Sequence, residues 1–143
     1  MKISERNHLK HIPIFSVRGV IYDRNKKELA WNTVSEKDIF PKRSYGDAPG
    51  IAHLLGYVSH PKVDSKGNFW QTEVTGKEGA EKEFDEVLRG ENGVRLVESD
   101  VMGELKSEVS QRLPIDGDNV VLSIDSRVST KLYETMEALS KQV

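Results

Sequence analysis

One string in this sequence has the spacing of a serine-type catalytic pair. Ser59-His60-Pro61-Lys62 places a hydroxyl three positions before a lysine, the Ser-x-x-Lys spacing in which serine acts as nucleophile. That chemistry is set up at the start of a long helix, whereas residues 60–67 here have the composition of a turn-rich loop. The sequence therefore predicts no catalytic role for Ser59. A small hydrolase that uses Ser59 or His53 is the least favoured of three interpretations.

The histidines give no stronger sign of a metal site or an acid–base pair. His8 and His11 lie in a polar segment without a third ligand and are predicted to be solvated. His53 lies within an apolar run and is predicted to be a hydrogen-bonded structural histidine. The absence of cysteine from the sequence excludes thiolate catalysis, disulfides and cysteine-ligated zinc. We expect neither a metal nor a cofactor.

Charged residues around one tight turn are more informative. Arg18 precedes an apolar strand pattern, and Asp23 and Arg24 begin the turn that ends it. Guanidinium and carboxylate groups so placed predict a charge-assisted network. We expect the three residues to fix the hairpin, or to dock it onto another surface.

Composition limits the classes of protein that the chain can belong to. The 143 residues are 36% hydrophobic and 31% charged, with a formal net charge of -2. These values suit a domain with a modest core and give no indication of a nucleic-acid-binding face. No apolar run approaches the roughly 20 residues of a membrane span. Any membrane anchor would have to lie upstream.

Hydrophobic periodicity and turn residues predict hairpins with two helices. Because strands and helices do not alternate regularly, the predicted fold class is α+β, with β-hairpins packed against the two helices. The predicted elements are a strand, turn and strand over residues 12–31, a connection over 32–50, a buried strand over 51–58, a helix over 79–88, strands over 94–100, 104–109 and 120–124, and a final helix after residue 125.

Both helices have an amphipathic pattern and a recognisable end. The first is followed by Gly90 as a C-terminal cap, and the second is preceded by Asp125 as an N-cap. The apolar stripes consist of Ala80, Phe84, Val87 and Leu88 in the first helix and Val128, Leu132, Met136 and Leu139 in the second.

Residues 13–32, PIFSVRGVIYDRNKKELAWN, resemble the motif that opens the extracytoplasmic part of class B penicillin-binding proteins. In that family an Arg-Gly pair precedes Ile-Tyr-Asp-Arg-Asn-Gly and then Leu-Ala. Lys26 stands where the family usually has glycine, which leaves the turn type open.

Three later stretches resemble the same family in the same order. Residues 52–58 are similar to its Ala-His-x-x-Gly-Tyr-Val segment, and residues 79–93 to its Gly-x-Glu-Lys helix and following Leu-x-Gly-x-x-Gly turn. Residues 117–125 are similar to the strand and cap that lead into the transpeptidase domain, although Ser129 stands where the family often has glutamine. The resemblance implies structural or partner-docking roles for Arg18, Gly19, Tyr22, Asp23, Arg24, His53, Gly56, Tyr57, Gly79, Glu81, Lys82, Gly90, Gly93 and Asp125.

The resemblance implies that residues 1–143 form a pedestal, or dimerisation, domain. Residues 1–11 would be a polar lead-in, and residues 126–143 would begin the linker toward a transpeptidase domain. Asn32 and Ala52 are only 20 positions apart, where the family has a longer head subdomain. Either the head is naturally short or it has been removed.

The same resemblance implies a scaffold and not an enzyme. The Ser-x-Asn and Lys-Thr/Ser-Gly motifs of the family's catalytic domain are absent from the sequence. The parent protein would be a serine-type D,D-transpeptidase, held on the extracytoplasmic side of the bacterial membrane by an upstream helix.

The implied partners are the parent's own transpeptidase domain, a SEDS-type glycosyltransferase and other cell-wall synthesis proteins. A homodimer is also compatible with the family, whereas nucleic acid is not an expected partner. The alternative interpretation is a stand-alone extracytoplasmic binding or assembly module with the pedestal fold and no transpeptidase.

Overall fold

The turn at Asp23 joins two strands at the centre of the fold. The computed structural model describes residues 8–142, which form an α+β arrangement, as the sequence predicts. The strands are β1 His8–Ile14, β2 Ile21–Tyr22, β3 Glu28–Thr33, β4 Lys42–Tyr45, β5 Val58–Ser59, β6 Lys62–Val63, β7 Phe69–Gln71, β8 Thr75–Gly76, β9 Gly93–Ser99, β10 Leu105–Arg112 and β11 Val120–Val121. The helices are α1 Ala52–Leu55, α2 Gly79–Glu83, α3 Asp85–Arg89 and α4 Ser126–Ser140.

A four-stranded sheet in the order β11-β2-β3-β4 supports the core. β2, β3 and β4 are antiparallel neighbours, whereas β11 joins β2 in parallel. Burial of aliphatic side chains on this sheet and on the short helices excludes water from one cluster. The buried core residues are Ile21, Leu29, Ala30, Ile51, Leu55, Ala80 and Leu88.

A second sheet, in the order β1-β9-β10, is much more open. β1 pairs with β9 without interruption from His8 opposite Ser99 to Ile14 opposite Gly93. The pairing of β9 with β10 contains two register shifts, and every residue of β10 is exposed. The two smaller sheets pair β5 with β8 and β6 with β7.

The strand predicted before the Asp23 turn is in fact divided between the two larger sheets. β1 pairs with β9, whereas β2 pairs with β3, and residues 15–20 cross from one sheet to the other. β1 also begins at His8, inside the predicted polar lead-in. The predicted connection over residues 32–50 contains β4. Lys42, Arg43 and Ser44 are consecutive polar residues, so the segment lacks the apolar alternation by which a strand is recognised.

The buried strand predicted over residues 51–58 is wrong. The segment forms the short helix α1 and then β5. Ile51 and Leu55 are four positions apart and both buried, as one side of a helical turn requires. A short apolar run does not by itself distinguish a buried helix from a buried strand.

The predicted helix over residues 79–88 is interrupted at Phe84, which separates α2 from α3. Ala80 and Leu88 are buried, but Phe84 and Val87 are exposed. Half of the predicted apolar stripe is therefore wrong, because charged residues of these helices occupy part of the buried side.

Helix α4 and the hairpin before it agree with the sequence. Asp125 accepts a hydrogen bond from Arg127 N–H, the N-cap geometry that satisfies a free donor at the helix start. β9 and β10 form the predicted pair, and β11 is the first part of the predicted strand over residues 120–124. The apolar stripe of α4 is on the surface, with each of its residues more than half exposed: Val128, Leu132, Met136 and Leu139.

Three turns within residues 8–142 share one hydrogen-bonding pattern and begin at Asp23, Asp64 and Asp100. In each turn, the aspartate Oδ1 accepts hydrogen bonds from the backbone N–H groups two and four positions later. The backbone N–H three positions later donates to the aspartate carbonyl. That third residue has a positive φ, at 62° for Lys26, 83° for Gly67 and 86° for Gly103. Lys26 therefore adopts the positive-φ conformation that glycine has in the other two turns, and all three turns are of one type.

Among the described residues, no helix combines the length and the apolar character needed to cross a membrane.

A buried charge network as the candidate functional site

Glu81 is the centre of a buried network of charged side chains. It lies on α2 with 0% exposure, and its two carboxylate oxygens accept hydrogen bonds from different arginines. Arg18 Nε donates to Glu81 Oε2 at 2.8 Å, and Arg43 Nε donates to Glu81 Oε1 at 2.6 Å. One carboxylate thus joins the β1–β2 connection and β4 to the same helix.

Arg18 uses the rest of its guanidinium group to hold the α2–α3 region. Its Nη1 donates to Asp85 Oδ1 at 2.8 Å and to Val74 O at 3.1 Å, and its Nη2 donates to Glu81 O at 2.9 Å. The planar donor fork of arginine allows one side chain to serve several acceptors in fixed directions.

Besides Glu81, Arg43 also binds the segment that contains Arg18. Its Nη1 donates to Gly19 O at 2.7 Å and to Asn32 Oδ1 at 3.3 Å. Asn32 Nδ2 in turn donates to Arg18 O at 2.5 Å. Burial lowers the pKa of the Arg43 guanidinium, while the Glu81 carboxylate opposes that change. Burial also raises the pKa of the neighbouring Tyr45 to about 12.

Asp85 extends the network toward solvent. Its Oδ1 accepts from Gly76 N–H at 2.8 Å, and its Oδ2 pairs with Arg89, which also reaches Glu73 at 3.1 Å. Burial raises the pKa of Asp85, but the hydrogen bonds from Gly76, Arg89 and Arg18 outweigh it, so the pKa lies below its ordinary value. Asp85 is therefore ionised at neutral pH.

A buried network of this kind specifies an arrangement more than it adds net stability. Removing two charges from water costs free energy that their attraction repays only with good geometry and further hydrogen bonds. Good geometry and further hydrogen bonds are present around Glu81, except that Arg43 Nη2 is buried with no partner among the described residues. Removing one partner would leave the other charges buried without compensation, so the arrangement of β4, α2 and the β1–β2 connection is strongly fixed.

Asp23 forms a separate anchor between the first hairpin and α4. The side chain is 1% exposed, and its Oδ2 accepts from Ser126 Oγ at 2.7 Å and from Ser126 N–H at 3.2 Å. Burial raises the pKa of Asp23, but hydrogen bonds from Lys27, Ser126 and Asn25 together lower it by more. The pKa of Asp23 is therefore below the ordinary value of 3.8.

The predicted single network of Arg18, Asp23 and Arg24 is consequently wrong. Arg18 points to Glu81 and Asp85, whereas Asp23 is satisfied by backbone donors and Ser126. The Arg24 side chain is exposed, although its backbone N–H donates to Ile124 O at 2.8 Å. The pleat ends before the turn, and the two arginines face different surroundings.

The predicted glycine positions are places where backbones meet. A Cβ on Gly56 would lie 1.8 Å from Glu78 O, and its φ of 76° also disfavours other residues. A Cβ on Gly19 would lie 1.8 Å from Asp118 O, and its N–H donates to Leu88 O. Added Cβ atoms would also approach backbone atoms to within 3.0 Å at Gly79, Gly90 and Gly93.

The remaining predicted residues lie outside the network. Tyr22 is half-buried in β2, whereas Tyr57 and Lys82 are exposed. The His53 side chain is exposed on α1 and makes no hydrogen bond with other described residues, so the prediction of a hydrogen-bonded histidine is wrong. A partner-docking role for His53 stays a prediction. Arg127 lowers the pKa of the N-cap Asp125 to about 2.

Sequence reasoning missed Arg43, Asp85, Asn32 and Ser126. Arg43 lies in a segment predicted to be a connection, and its partner Glu81 is 38 positions away. The available signal for Asp85 was its spacing four positions after Glu81, which places both carboxylates on one side of a helix. This spacing does not identify the arginines that bind the two carboxylates.

Neither the Ser-x-x-Lys string nor a metal-binding cluster forms a site among residues 8–142. Ser59 ends β5 and Lys62 begins β6, so the Ser-x-x-Lys string does not lie on a helix. The described part of the chain holds no cluster of three or more histidine, aspartate or glutamate side chains suited to a metal. The His11 side chain is exposed as predicted, and the His8 side chain lies outside what the structure describes.

Residues 36–122 match the family model of the penicillin-binding protein dimerisation domain. Because the match covers more than half of the sequence, the chain belongs to this family, the pedestal domain of class B penicillin-binding proteins. This outcome confirms the resemblance drawn from the sequence motifs.

Three relatives illustrate the membership. The chain is 30% identical over 108 residues to the peptidoglycan D,D-transpeptidase PenA of Neisseria meningitidis, 33% over 95 residues to FtsI of Escherichia coli K12, and 32% over 109 residues to MrdA of Salmonella typhimurium. These alignments cover 73%, 66% and 70% of this chain. They cover only 16%, 14% and 17% of the relatives, so the chain spans about one sixth of their length.

Solved structures have the same fold. A protein described as a peptidoglycan glycosyltransferase from Atopobium parvulum superposes with a TM-score of 0.65 at 25% identity, over 93% of this chain and 25% of that one. Penicillin-binding protein PBP2 of Helicobacter pylori, solved in complex with MreC, superposes with a TM-score of 0.66 at 19% identity, over 93% of this chain and 39% of that one.

Proposed function

We propose that this chain is the non-catalytic pedestal of a longer class B penicillin-binding protein. In the parent, it holds a serine-type D,D-transpeptidase domain on the extracytoplasmic side of the bacterial membrane, where peptidoglycan is cross-linked. The names and lengths of the relatives support this role, since each is a D,D-transpeptidase about six times as long as the matching segment.

The observation that carries the proposal is the buried charge network. Glu81 fixes β4 and the β1–β2 connection on α2, and Asp23 fixes the first hairpin on the start of α4. These three hydrogen bonds restrict relative motion between segments that are distant in the sequence. A support that sets the position of another domain needs this rigidity.

Helix α4 provides the connection toward the catalytic domain in this proposal. The helix begins at the Asp23 anchor and carries its exposed apolar stripe away from it. Exposed apolar patches mark surfaces that another protein surface covers. The transpeptidase domain of the parent is the proposed occupant, and residues 126–143 begin the linker to it. Residues 32–50 stand in place of the head subdomain.

The proposed partners are a SEDS-type glycosyltransferase and other proteins of cell-wall synthesis. The solved complex of Helicobacter pylori PBP2 with MreC supports assembly through proteins of this fold. An upstream helix would supply the membrane anchor.

The test compares the isolated chain with its full-length parent. A fluorescent penicillin should label the parent covalently and leave the isolated chain unlabelled. The double variant Leu132→Glu/Met136→Glu should leave the unfolding midpoint of the isolated chain unchanged and lower that of the parent's transpeptidase domain. Glu134→Lys, on the opposite side of α4, is the matched control and should change neither.

Labelling of the isolated chain would contradict the scaffold role. A parent gene that ends directly after codon 143 would instead favour a stand-alone module. If the double variant and Glu134→Lys changed the unfolding midpoint of the parent equally, the apolar stripe of α4 would not be the docking surface.

A further inference from the structure

His60 lies beside the outer strand of the four-stranded sheet. β4 is the last strand in the order β11-β2-β3-β4, so one of its edges has no neighbouring strand among the described residues. On that edge, the Arg43 N–H donates a hydrogen bond to His60 Nε2 at 3.1 Å. An edge strand presents unpaired backbone groups, and here the imidazole satisfies one of them. His60 therefore joins β4 to the β6–β7 hairpin, residues 62–71, which begins two positions after it.

This hydrogen bond defines the protonation state of the imidazole. A backbone N–H can only donate, so His60 Nε2 must carry a lone pair, and the neutral ring holds its proton on Nδ1. A protonated imidazole is a donor at both nitrogens, and its Nε2–H would face the Arg43 N–H. The contact between His60 and β4 consequently depends on a neutral imidazole.

Aromatic rings fix the position of the imidazole. The His60 ring stacks on Phe40, with ring centroids 6.0 Å apart and planes 25° apart. Phe40 also contacts Phe69 of β7 at 6.4 Å and Phe15 of the β1–β2 connection at 5.8 Å. Because these contacts hold the half-buried ring in place, the imidazole cannot simply turn away from the Arg43 N–H when it gains a proton. Loss of the hydrogen bond must instead separate β4 from the hairpin.

The charges around His60 oppose its protonation. Burial and the Lys42 ammonium both lower the pKa of His60 below the ordinary value of 6.5. Asp38, in the connection before β4, pairs with Lys42 at 3.0 Å and not with the imidazole. β7 carries no charged residue. An imidazolium at this place would therefore lack a carboxylate partner among residues 8–142. The other charged side chains of β4 and β6 are bound elsewhere: Arg43 to Glu81, and Lys62 over the ring of Trp70.

We propose that His60 is a pH-sensitive switch, which holds the β6–β7 hairpin against the edge of β4 when neutral and opens this contact when protonated. The switch acts next to the charge network, because the side chain of Arg43 binds Glu81. Since the folded chain resists protonation of His60, the unfolded chain takes up the proton first as the pH falls. The contribution of His60 to the free energy of unfolding is complete above pH 6.5 and is lost as the pH falls through the pKa of His60 in the folded chain. The inference goes beyond the pedestal role, which requires no response to pH.

Urea unfolding from about pH 8 to about pH 5, the range in which histidine titrates, tests the switch. The ratio of folded to unfolded wild-type chain should fall by about 2- to 10-fold over this range, which is the contribution of one hydrogen bond. His60→Gln keeps an acceptor without the titration and should abolish this fall. His53→Gln, at an exposed histidine of α1, is the matched control and should retain the pH dependence of the wild-type chain.

Hydrogen exchange at one amide locates the effect. Protection of the Arg43 N–H, corrected for the intrinsic pH dependence of exchange, should fall in the wild-type chain below pH 6.5. His60→Phe retains a ring to stack on Phe40 but lacks the acceptor, so the Arg43 N–H should be unprotected at every pH. In long-range ¹H–¹⁵N spectra near neutral pH, Nε2 of His60 should be the nitrogen without a proton.

Three outcomes would each overturn the proposal. They are a proton on Nε2 near neutral pH, the same pH dependence of unfolding in the wild-type chain and His60→Gln, and an Arg43 N–H whose protection does not change with pH. None of these measurements involves a transpeptidase domain, so the pedestal role is tested separately.

Discussion

The hairpins β2–β3 and β9–β10 are closed by turns with the same hydrogen bonds, but they occupy different surroundings. Asp23 and Asp100 each accept two backbone N–H bonds through Oδ1. Only Asp23 uses its second oxygen to hold a distant residue, Ser126. The β2–β3 hairpin lies against the core, whereas all of β10 is exposed.

The comparison separates local from long-range stabilisation. A turn of this type needs only an aspartate and a residue that tolerates positive φ three positions later. Holding the hairpin in the molecule needs buried partners from elsewhere in the chain. The first hairpin is part of the fixed framework, whereas strand β10 of the second hairpin is exposed along its whole length.

The largest expected effect is at Glu81, which binds Arg18 in the segment that leads into the first hairpin. Glu81→Gln removes the charge that Arg18 and Arg43 share, and leaves both buried guanidinium groups partly uncompensated. We expect a loss of roughly 3–5 kcal/mol in the free energy of unfolding, measured with urea. Glu83→Gln, on the exposed side of the same helix, should change it by less than about 0.5 kcal/mol. Equal losses would show that the network adds nothing specific.

The two turns themselves should differ next. Asp23→Ala leaves the buried hydroxyl and N–H of Ser126 without their acceptor. It also removes the acceptor of the turn N–H groups of Asn25 and Lys27. We expect it to lower the free energy of unfolding by about 1–3 kcal/mol. Asp100→Ala loses the same turn bonds near solvent, where water replaces them, and should lower it by about 1 kcal/mol or less. A larger loss for Asp100→Ala would reverse the proposed roles of the hairpins.

Acid should weaken the first hairpin in a defined pH range. Hydrogen bonds hold the pKa of Asp23 below 3.8 in the folded chain, so the unfolded chain takes up the proton first as the pH falls. The contribution of ionised Asp23 to the free energy of unfolding is complete above pH 3.8 and is lost as the pH falls through the pKa of Asp23 in the folded chain. The stability difference between the wild-type chain and Asp23→Asn should therefore shrink below pH 3.8, in urea titrations at stepwise lower pH. A constant difference would contradict it.

The smallest expected effect concerns Lys26. Its φ of 62° is unfavourable for a residue with a Cβ, whereas Gly103 occupies the equivalent place in the second turn. Lys26→Gly relieves about 1–2 kcal/mol of strain but gives the unfolded chain more freedom, which offsets about 0.4–1 kcal/mol. We expect a slightly raised thermal midpoint. Gly103→Lys should lower it, and the opposite pair of signs would refute the shared turn geometry.

Local features were predictable from the sequence. The turn at Asp23, the cap at Asp125 and the β9–β10 hairpin depend on neighbouring residues, and each is present. The short run over residues 51–58 was not predictable, because its length suits either a strand or a helix.

The partners within the charge network were also beyond the sequence. Arg18 and Glu81 were both marked by the family motifs, but a motif does not show that they bond each other across 63 positions. Arg18 was instead paired with the nearest carboxylate in the sequence, Asp23. Contacts between distant segments depend on topology, which a single sequence does not reveal.

The parallel contact of β11 with β2 has a consequence for how the chain is made. Val120 pairs with Ile21, and Ser126 bonds Asp23 across 103 positions. Such non-local contacts form slowly, because a long loop must close before they contribute. A nascent chain that ends before residue 120 leaves one side of β2 without its neighbouring strand. The first hairpin therefore has an unpaired strand edge, open to aggregation or to a chaperone, until residues 120–126 have been synthesised.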